Sequence, residues 1–495
     1  MARSRIFRCS SLAVAAATAA FVTGCAVGPD YHRPAAPAVQ GYPPAPLTQT
    51  VTATNTPGGA AQNFLAGADL AGDWWTLFQS PPLNALIERS LKANPNLQAA
   101  QAALRAAREN VRAQRGAYYP AVTAGFGAQR DKSSAAIAPT PNSNALQYDL
   151  FTPQVAVAYS PDVFGLNRRT VESLQAQQEQ ARFALVAADI TLTANVVAAA
   201  IQAASLRAQV AATQKLIAVN TNLLQVLRQQ FARGYAGRLD VAAQESQLAQ
   251  VRATLPPLLK QLAQQRDLIA ALAGGYPSDP PAEEFELAGL QLPSDLPVSL
   301  PAQLVAQRPD VRLAEENLHA LSALVGVSVA NRLPNLMLTA DVGSMALAAG
   351  QMFANGNGFW GIAGNVTQPV FQGGTLRHRE RAARAAFEEA AQQYRAAVLT
   401  AFQNVADTLA ALEQDAAGLQ AAAAAQAAAE VAFNLARQQW QAGYSSYLVL
   451  LNAEQAYNQA AINLIQAQAN RYTDTAALFQ ALGGGWWHRP EYTKR

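Results

Sequence analysis

The sequence predicts a mainly α-helical fold with a smaller β part, built from one unit used twice. Three observations predict it. The first is a repeated stretch, Gln230-Phe231-Ala232-Arg233-Gly234-Tyr235 and Gln439-Trp440-Gln441-Ala442-Gly443-Tyr444. Gly234 and Gly443 are 209 residues apart, and Phe231/Trp440, Leu239/Leu448 and Glu245/Glu454 keep that offset. The second is a spacing of 25 residues that occurs twice, Pro95 to Pro120 and Pro309 to Pro334. The third is a pair of very long stretches, from Asn167 to Arg233 without Pro or Gly and from Thr375 to Ala442 broken only by Gly418. Each ends at one of the repeated glycines, where a helix stops and the chain reverses. Both stretches therefore read as tips of long helical hairpins.

Composition excludes several function classes. Charged residues make up 14% of the 495 and apolar residues 51%, much of it Ala, with a net charge of +3. That charge is too small to argue for nucleic acid. His32, His319, His378 and His488 are scattered and form no metal-ligand spacing. No phosphate loop, GxSxG elbow or catalytic His/Cys/carboxylate set is present, and Glu388-Glu389 reads as a solvated helix face. An enzyme, a cofactor and a bound metal are not expected.

Residues 1–24 read as a signal peptide, with Arg3, Arg5 and Arg8 ahead of an apolar run from Leu12 to Val22. Val22-Thr23-Gly24-Cys25 resembles the lipobox of bacterial lipoproteins, which makes Cys25 the expected site of lipid attachment. Residues 25–82 follow as a lipidated extension, rich in Pro, Ala, Thr and Gly and expected to be a linker with no core of its own. It closes on Trp74-Trp75, a packing anchor.

Repeat 1 spans 83–273 and repeat 2 spans 299–482, with a connector at 274–298 and a tail at 483–495. Each repeat opens with a helix ended by a proline, Pro120 or Pro334. Two strands come next, Ala121 to Gln129 with Tyr148 to Tyr159, and Leu336 to Gly343 with Phe359 to Val366. Val155, Val157 and Tyr159 alternate with small residues, as do Leu336, Leu338, Ala340 and Val342, so each strand has one apolar face. The long helices then begin, the first with Asn167 as the expected N-cap. Their Ala and Gln content suits helices packed closely on both flanks with one wet face. Leu419 to Ala436 is cut by Gln420, Gln426 and Glu430 and does not read as a membrane span. Pro256-Pro257 is expected to break the first return helix.

Four strands cannot close a membrane barrel, which starts at about eight. If these strands cross a membrane, more than one chain shares the barrel. At this point the sequence resembles a known family, the lipoprotein branch (OprM or NodT type) of the TolC-like outer-membrane efflux channels that pair with RND multidrug pumps. The resemblance rests on Cys25, Val27-Gly28-Pro29-Asp30-Tyr31, Trp74-Trp75 with Phe78, Asn94-Pro95, Asp162-Val163-Phe164-Gly165, the two Gly-Tyr tips and Ala481-Leu482-Gly483-Gly484-Gly485-Trp486. It implies a homotrimer, a 12-stranded barrel in outer-membrane lipid and a periplasmic α-helical barrel below it. It implies no catalytic role but a passive duct for small molecules, partnered by a periplasmic adaptor and an inner-membrane pump. The expected adaptor-contacting tips are Gly234, Tyr235, Gly443, Tyr444 and Ser445. Some relatives close the mouth with acidic residues six and nine positions after the tip glycine. Here Asp240 alone matches; Val449 and Asn452 stand in the second copy. A gate is therefore expected to lean on Asp240, Arg238 and Arg233, with Asp240 bonding Tyr444, Ser445 or Tyr447 of a neighbouring hairpin. A periplasmic coiled-coil spacer and a protein-secretion channel are the competing readings.

Overall fold

A computed structural model of the chain describes residues 26–39, 41–42, 47–132, 134, 147–280 and 282–493. The expected signal peptide and Cys25 lie outside the described residues, as does most of the loop after Lys132. The chain divides into two compact units. One holds residues 1–34, 104–180 and 314–394; the other holds 35–103, 181–313 and 395–495.

In the first unit, β2 (Ala121–Lys132), β3 (Gln147–Tyr159), β5 (Asn335–Ser344) and β6 (Gly358–Thr367) form one antiparallel sheet in the order β2-β3-β5-β6. The register pairs Val122 with Val157, Val157 with Ala340, and Ala340 with Ile362. Alternation along the strands thus becomes a continuous apolar face across the sheet. Helix α3 (Leu166–Ala232) begins just after β3. Its N-terminus is capped by Asp162, whose two oxygens accept the N–H groups of Asn167 and Arg168, each at 2.9 Å. Asn167 is thus inside the helix and is not its cap. A carboxylate suits this place better than an amide because two orphan amides and the helix dipole all face it.

The second unit carries the hairpins. α3 and α7 (Thr375–Gln441) are each 67 residues long, and their return helices α4 (Arg238–Leu272) and α8 (Tyr447–Ala481) are each 35. The duplication therefore holds to the residue in the lengths of these long helices and their returns. Pro256 and Pro257 lie inside α4, which runs through them unbroken, contrary to expectation. The two prolines are adjacent, so the lost bonds fall in one turn. The carbonyls they leave free belong to Arg252 and Ala253, both exposed, so the missing amides cost less there than they would in a buried turn. A window within α3 has a mean hydropathy of 1.9, apolar enough to cross a membrane, but 67% of it is buried in the protein, as in a core helix.

The extension is not a free linker. Strand β1 (Asn63–Ala66) pairs in parallel with β4 (Asp295–Val298). Gln62 is fully buried, its amide donating to the Pro293 carbonyl at 3.0 Å and to Thr475 at 3.1 Å. Arg471 is equally buried and donates to the carbonyls of Leu412 and Ala60 at 3.0 and 3.1 Å. Trp74 and Phe78 pack on Phe479 and Tyr472, at ring separations of 5.5 and 6.4 Å. Aromatic burial of this size stabilises by about 2–3 kcal/mol per ring. The tail is also held, by Arg489 and Tyr492 on the buried carboxylate of Asp189 at 2.5 and 2.6 Å.

Candidate functional site

Two regions carry the expected function, one in each unit. The first is the sheet. Val122, Phe126, Val155, Leu338, Val342, Trp360, Ile362 and Val366 lie on one face, and all are exposed. The other face carries Thr123, Gln154, Thr339 and Asp341 among small residues, with Leu150, Met337 and Phe359 interspersed. One side is oily and exposed, the other mostly small or polar, and among the described residues strands β2 and β6 each leave an edge unpaired. Unpaired backbone along edges of this length demands a partner.

Beside the sheet the described chain begins, pinned rather than loose. The Val27 N–H donates to the Phe164 carbonyl at 3.1 Å. Arg169 is buried and donates to the Val27 carbonyl at 3.1 Å, to Asp30 at 2.7 Å and to Glu172 at 2.8 Å. Tyr31 stacks on His319 at 4.2 Å. Gly28, at φ +95°, passes so close to α6 (Pro309–Ala330) that a Cβ there would lie 2.4 Å from Gly326 Cα. Hydrogen bonds to Glu172 and Glu316 push the His319 imidazole up to about 9.

The second region is the pair of tips, both in the second unit. The two reversals are built alike. Tyr235 N–H donates to the Gln230 carbonyl and Gly234 N–H to that of Phe231; Tyr444 and Gly443 repeat this on Gln439 and Trp440. Each is a Schellman cap, with glycine at φ +79° and +76°. A Cβ on either would meet open space, so the backbone angle demands glycine and crowding does not. Tyr235 and Tyr444 are 82% and 88% exposed, and Leu239, Leu448 and Val449 stand in water beside them.

Below the tips the hairpins interlock. Leu227 of the first packs with Phe433, Ala436, Tyr447, Leu450 and Leu451 of the second. Within this apolar cluster runs a polar chain. Tyr447 donates to Gln244, Gln244 to Asn220 at 2.9 Å, and Asn220 to Glu454 at 2.5 Å. Asn220, Gln244 and Glu454 are all buried, and burial pushes the Glu454 carboxyl up to about 7. Its repeat mate Glu245 is exposed and paired with Arg228 at 2.6 Å. The shared offset of the two glutamates was visible in the sequence, but which of them is buried was not.

Asp240 lies in the first turn of α4 and accepts the Gly237 N–H at 3.0 Å. It thus caps its own helix and joins none of Tyr444, Ser445 and Tyr447 within the chain. Arg233 and Arg238 are exposed and form no ion pair among the described residues. Ser445 is half-buried beside Tyr444, its hydroxyl donating to the Ser446 carbonyl at 3.5 Å.

The sequence profile of a family described as "Outer membrane efflux protein" matches residues 86–275 and 300–484. The chain is 29% identical over 483 residues to the toluene efflux pump outer membrane protein TtgC of Pseudomonas putida, covering 97% of this chain and 96% of the relative. Among solved structures it is similar to the outer-membrane channel OprN, with a TM-score of 0.82, 27% identity, and coverage of 93% and 100% of the two chains. The open state of the Neisseria gonorrhoeae outer membrane channel MtrE matches with a TM-score of 0.79 and 25% identity, covering 93% and 98%.

Proposed function

Because this chain belongs to the outer membrane efflux protein family, we propose that it is the outer-membrane duct of a tripartite pump, through which small molecules leave the cell passively. The observation that carries this reading is the four-stranded sheet, apolar on one face, mostly small or polar on the other and open at both edges. In a bilayer every backbone amide needs a partner, so a spanning sheet must close on itself. Three copies close it with twelve strands, the oily face to lipid and the polar face to a water-filled lumen. The helical hairpins form the periplasmic part of the duct.

The tips are the docking end. Their exposed Tyr235, Tyr444, Leu239 and Leu448 suit a periplasmic adaptor, which in turn engages an inner-membrane pump of the RND type. Cys25 is the lipid anchor in this reading. Two residues on, the Val27 N–H donates to the Phe164 carbonyl just before α3. Toluene is in the name of the relative TtgC; in this reading the cargo of the present chain is chosen by its pump.

Planar-bilayer recording of the purified full-length protein tests the duct directly. Discrete, ohmic conductance steps are expected. Trimers that insert and pass no current would end the duct reading. Deleting the gene should sensitise the host to exported toxicants, with resistance restored by the wild-type chain.

A further inference from the structure

The lumen face of the sheet carries a charge pattern that the duct reading leaves unused. Residues 121–159 and 335–367 contain Arg130, Asp131, Lys132, Asp149 and Asp341 as their charged side chains. Arg130, Lys132 and Asp149 lie on the apolar face at its far end, where Arg130 and Asp149 pair at 3.6 Å. Asp131 and Asp341 lie on the polar face, and among the described residues of those strands no Lys, Arg or His shares it.

The two acids differ in depth. Asp131 is next to the end of β2, opposite Tyr148, at the mouth. Asp341 sits well inside β5, flanked in register by Ala156 on one side and Gly361 on the other. Both neighbours are small, and Asp341 itself is half-buried on this face. A Cβ built on Gly361 would lie 3.0 Å from Asp341 Oδ1, so the carboxylate occupies the room that the missing side chain leaves. It makes no hydrogen bond or ion pair among the described residues.

We propose that Asp341 sets the charge preference of the barrel interior, making the outer-membrane segment of the duct favour cations over anions. The inference rests on the trimeric duct reading, which places three copies of Asp341 on one lumen. An uncompensated ring of three carboxylates raises the local cation concentration in a low-dielectric wall. Its reach is a Debye length, about 10 Å at 0.1 M salt and about 3 Å at 1 M. The preference is therefore strong in dilute salt and weak in concentrated salt, and it acts on charged cargo without obstructing neutral molecules.

The test is the reversal potential of the purified full-length trimer in a planar bilayer under a KCl gradient centred near 0.1 M. The wild type should pass K⁺ more readily than Cl⁻. Asp341→Asn should lower the permeability ratio by about twofold or more, Asp341→Lys should invert it, and Asp341→Glu should keep it. All differences should shrink near 1 M salt. Asp131→Asn should change the ratio less than Asp341→Asn. A wild type without conductance would remove the duct reading itself. A conducting wild type whose ratio is indifferent to Asp341→Asn and Asp341→Lys would overturn this inference alone. So would a ratio abolished by Asp131→Asn, or a difference that survives 1 M salt.

Discussion

Glu454 is a carboxyl inside an apolar cluster, and its protonation has a measurable price in stability. Its folded pKa, about 7, lies above the ordinary 4.5 because burial disfavours the charge. The folded state therefore holds a proton that the unfolded state gives up as pH rises above 4.5. Stability then falls between about pH 4.5 and 7 and levels off above, by on the order of 3 kcal/mol from this group. Asp415, raised to about 7 by burial and by Asp474, adds to the same slope. Thermal unfolding at pH 5 and pH 8 should show a higher Tm at pH 5. Glu454→Gln should flatten the difference in part, and Asp415→Asn should remove more; equal slopes in all variants would contradict the assignment. At the tips, Gly443→Leu introduces strain of about 1–2 kcal/mol from a positive φ but no clash. It should leave trimers in the outer membrane and abolish drug resistance. Unchanged resistance would make the tip a mere connection. Asp240→Ala should cost about 1 kcal/mol through the lost Gly237 cap, seen as a lower Tm. A rise in resting conductance at unchanged Tm would instead favour the expected role as a gate. The glycines were legible because a helix reversal leaves few choices of residue. The Asn220, Gln244 and Glu454 chain was not, because polar residues on an Ala/Gln helix look alike until a second hairpin covers some of them.

At the scale of elements, periodicity was a good guide where the partner is close in sequence and a poor one where it is distant. Strands β2, β3, β5 and β6 were readable from alternation, with observed ends within a few residues of those expected. The pairing of β1 with β4 was hidden, since four residues among prolines and threonines show no period and their partners lie more than 200 residues on. Part of what holds the extension, beside the β1–β4 pairing, Gln62 and the aromatic anchors, is a buried arginine that no pattern marks. Arg471→Leu leaves the Ala60 and Leu412 carbonyls without their donor, at a cost on the order of 3 kcal/mol. Limited proteolysis should then cut within residues 47–72, where the wild type resists; equal resistance would mean the extension is held without Arg471, by the β1–β4 pairing, Gln62 and the aromatic anchors. Helix α4 makes the opposite point. A proline in a helix interior costs about 3 kcal/mol relative to alanine. The packing of Leu262, Leu206 and Val210 nonetheless carries the helix past Pro256 and Pro257. Replacing both prolines with alanine should raise the Tm, and a lower Tm would show that the neighbouring packing needs the local distortion.

For the whole molecule, one chain is an incomplete object. Its sheet has two unpaired edges and a face of exposed Val, Ile, Phe and Trp, and it answers both only in company. That incompleteness was visible in the sequence as a strand count, four where a barrel needs about eight or more. The number of copies was not, since strand count alone permits two, three or four chains, and the resemblance to a trimeric family supplied it. The central claim is that β2 of one copy pairs with β6 of the next around a closed ring of three. Cysteine cross-linking in intact outer membranes tests it most directly, with Thr123→Cys combined in turn with Gly361→Cys, Ala363→Cys and Asn365→Cys. If Cys9 leaves with the expected signal peptide and Cys25 is acylated, no competing thiol remains; replacing both cysteines with serine in the background removes the question. At least one pair should form a disulfide in high yield and give a ladder of dimer and then trimer on a denaturing gel, ending at trimer, with each single variant remaining monomeric. A ladder that stops at dimer or runs past trimer, or no cross-link from any pair, would contradict the account.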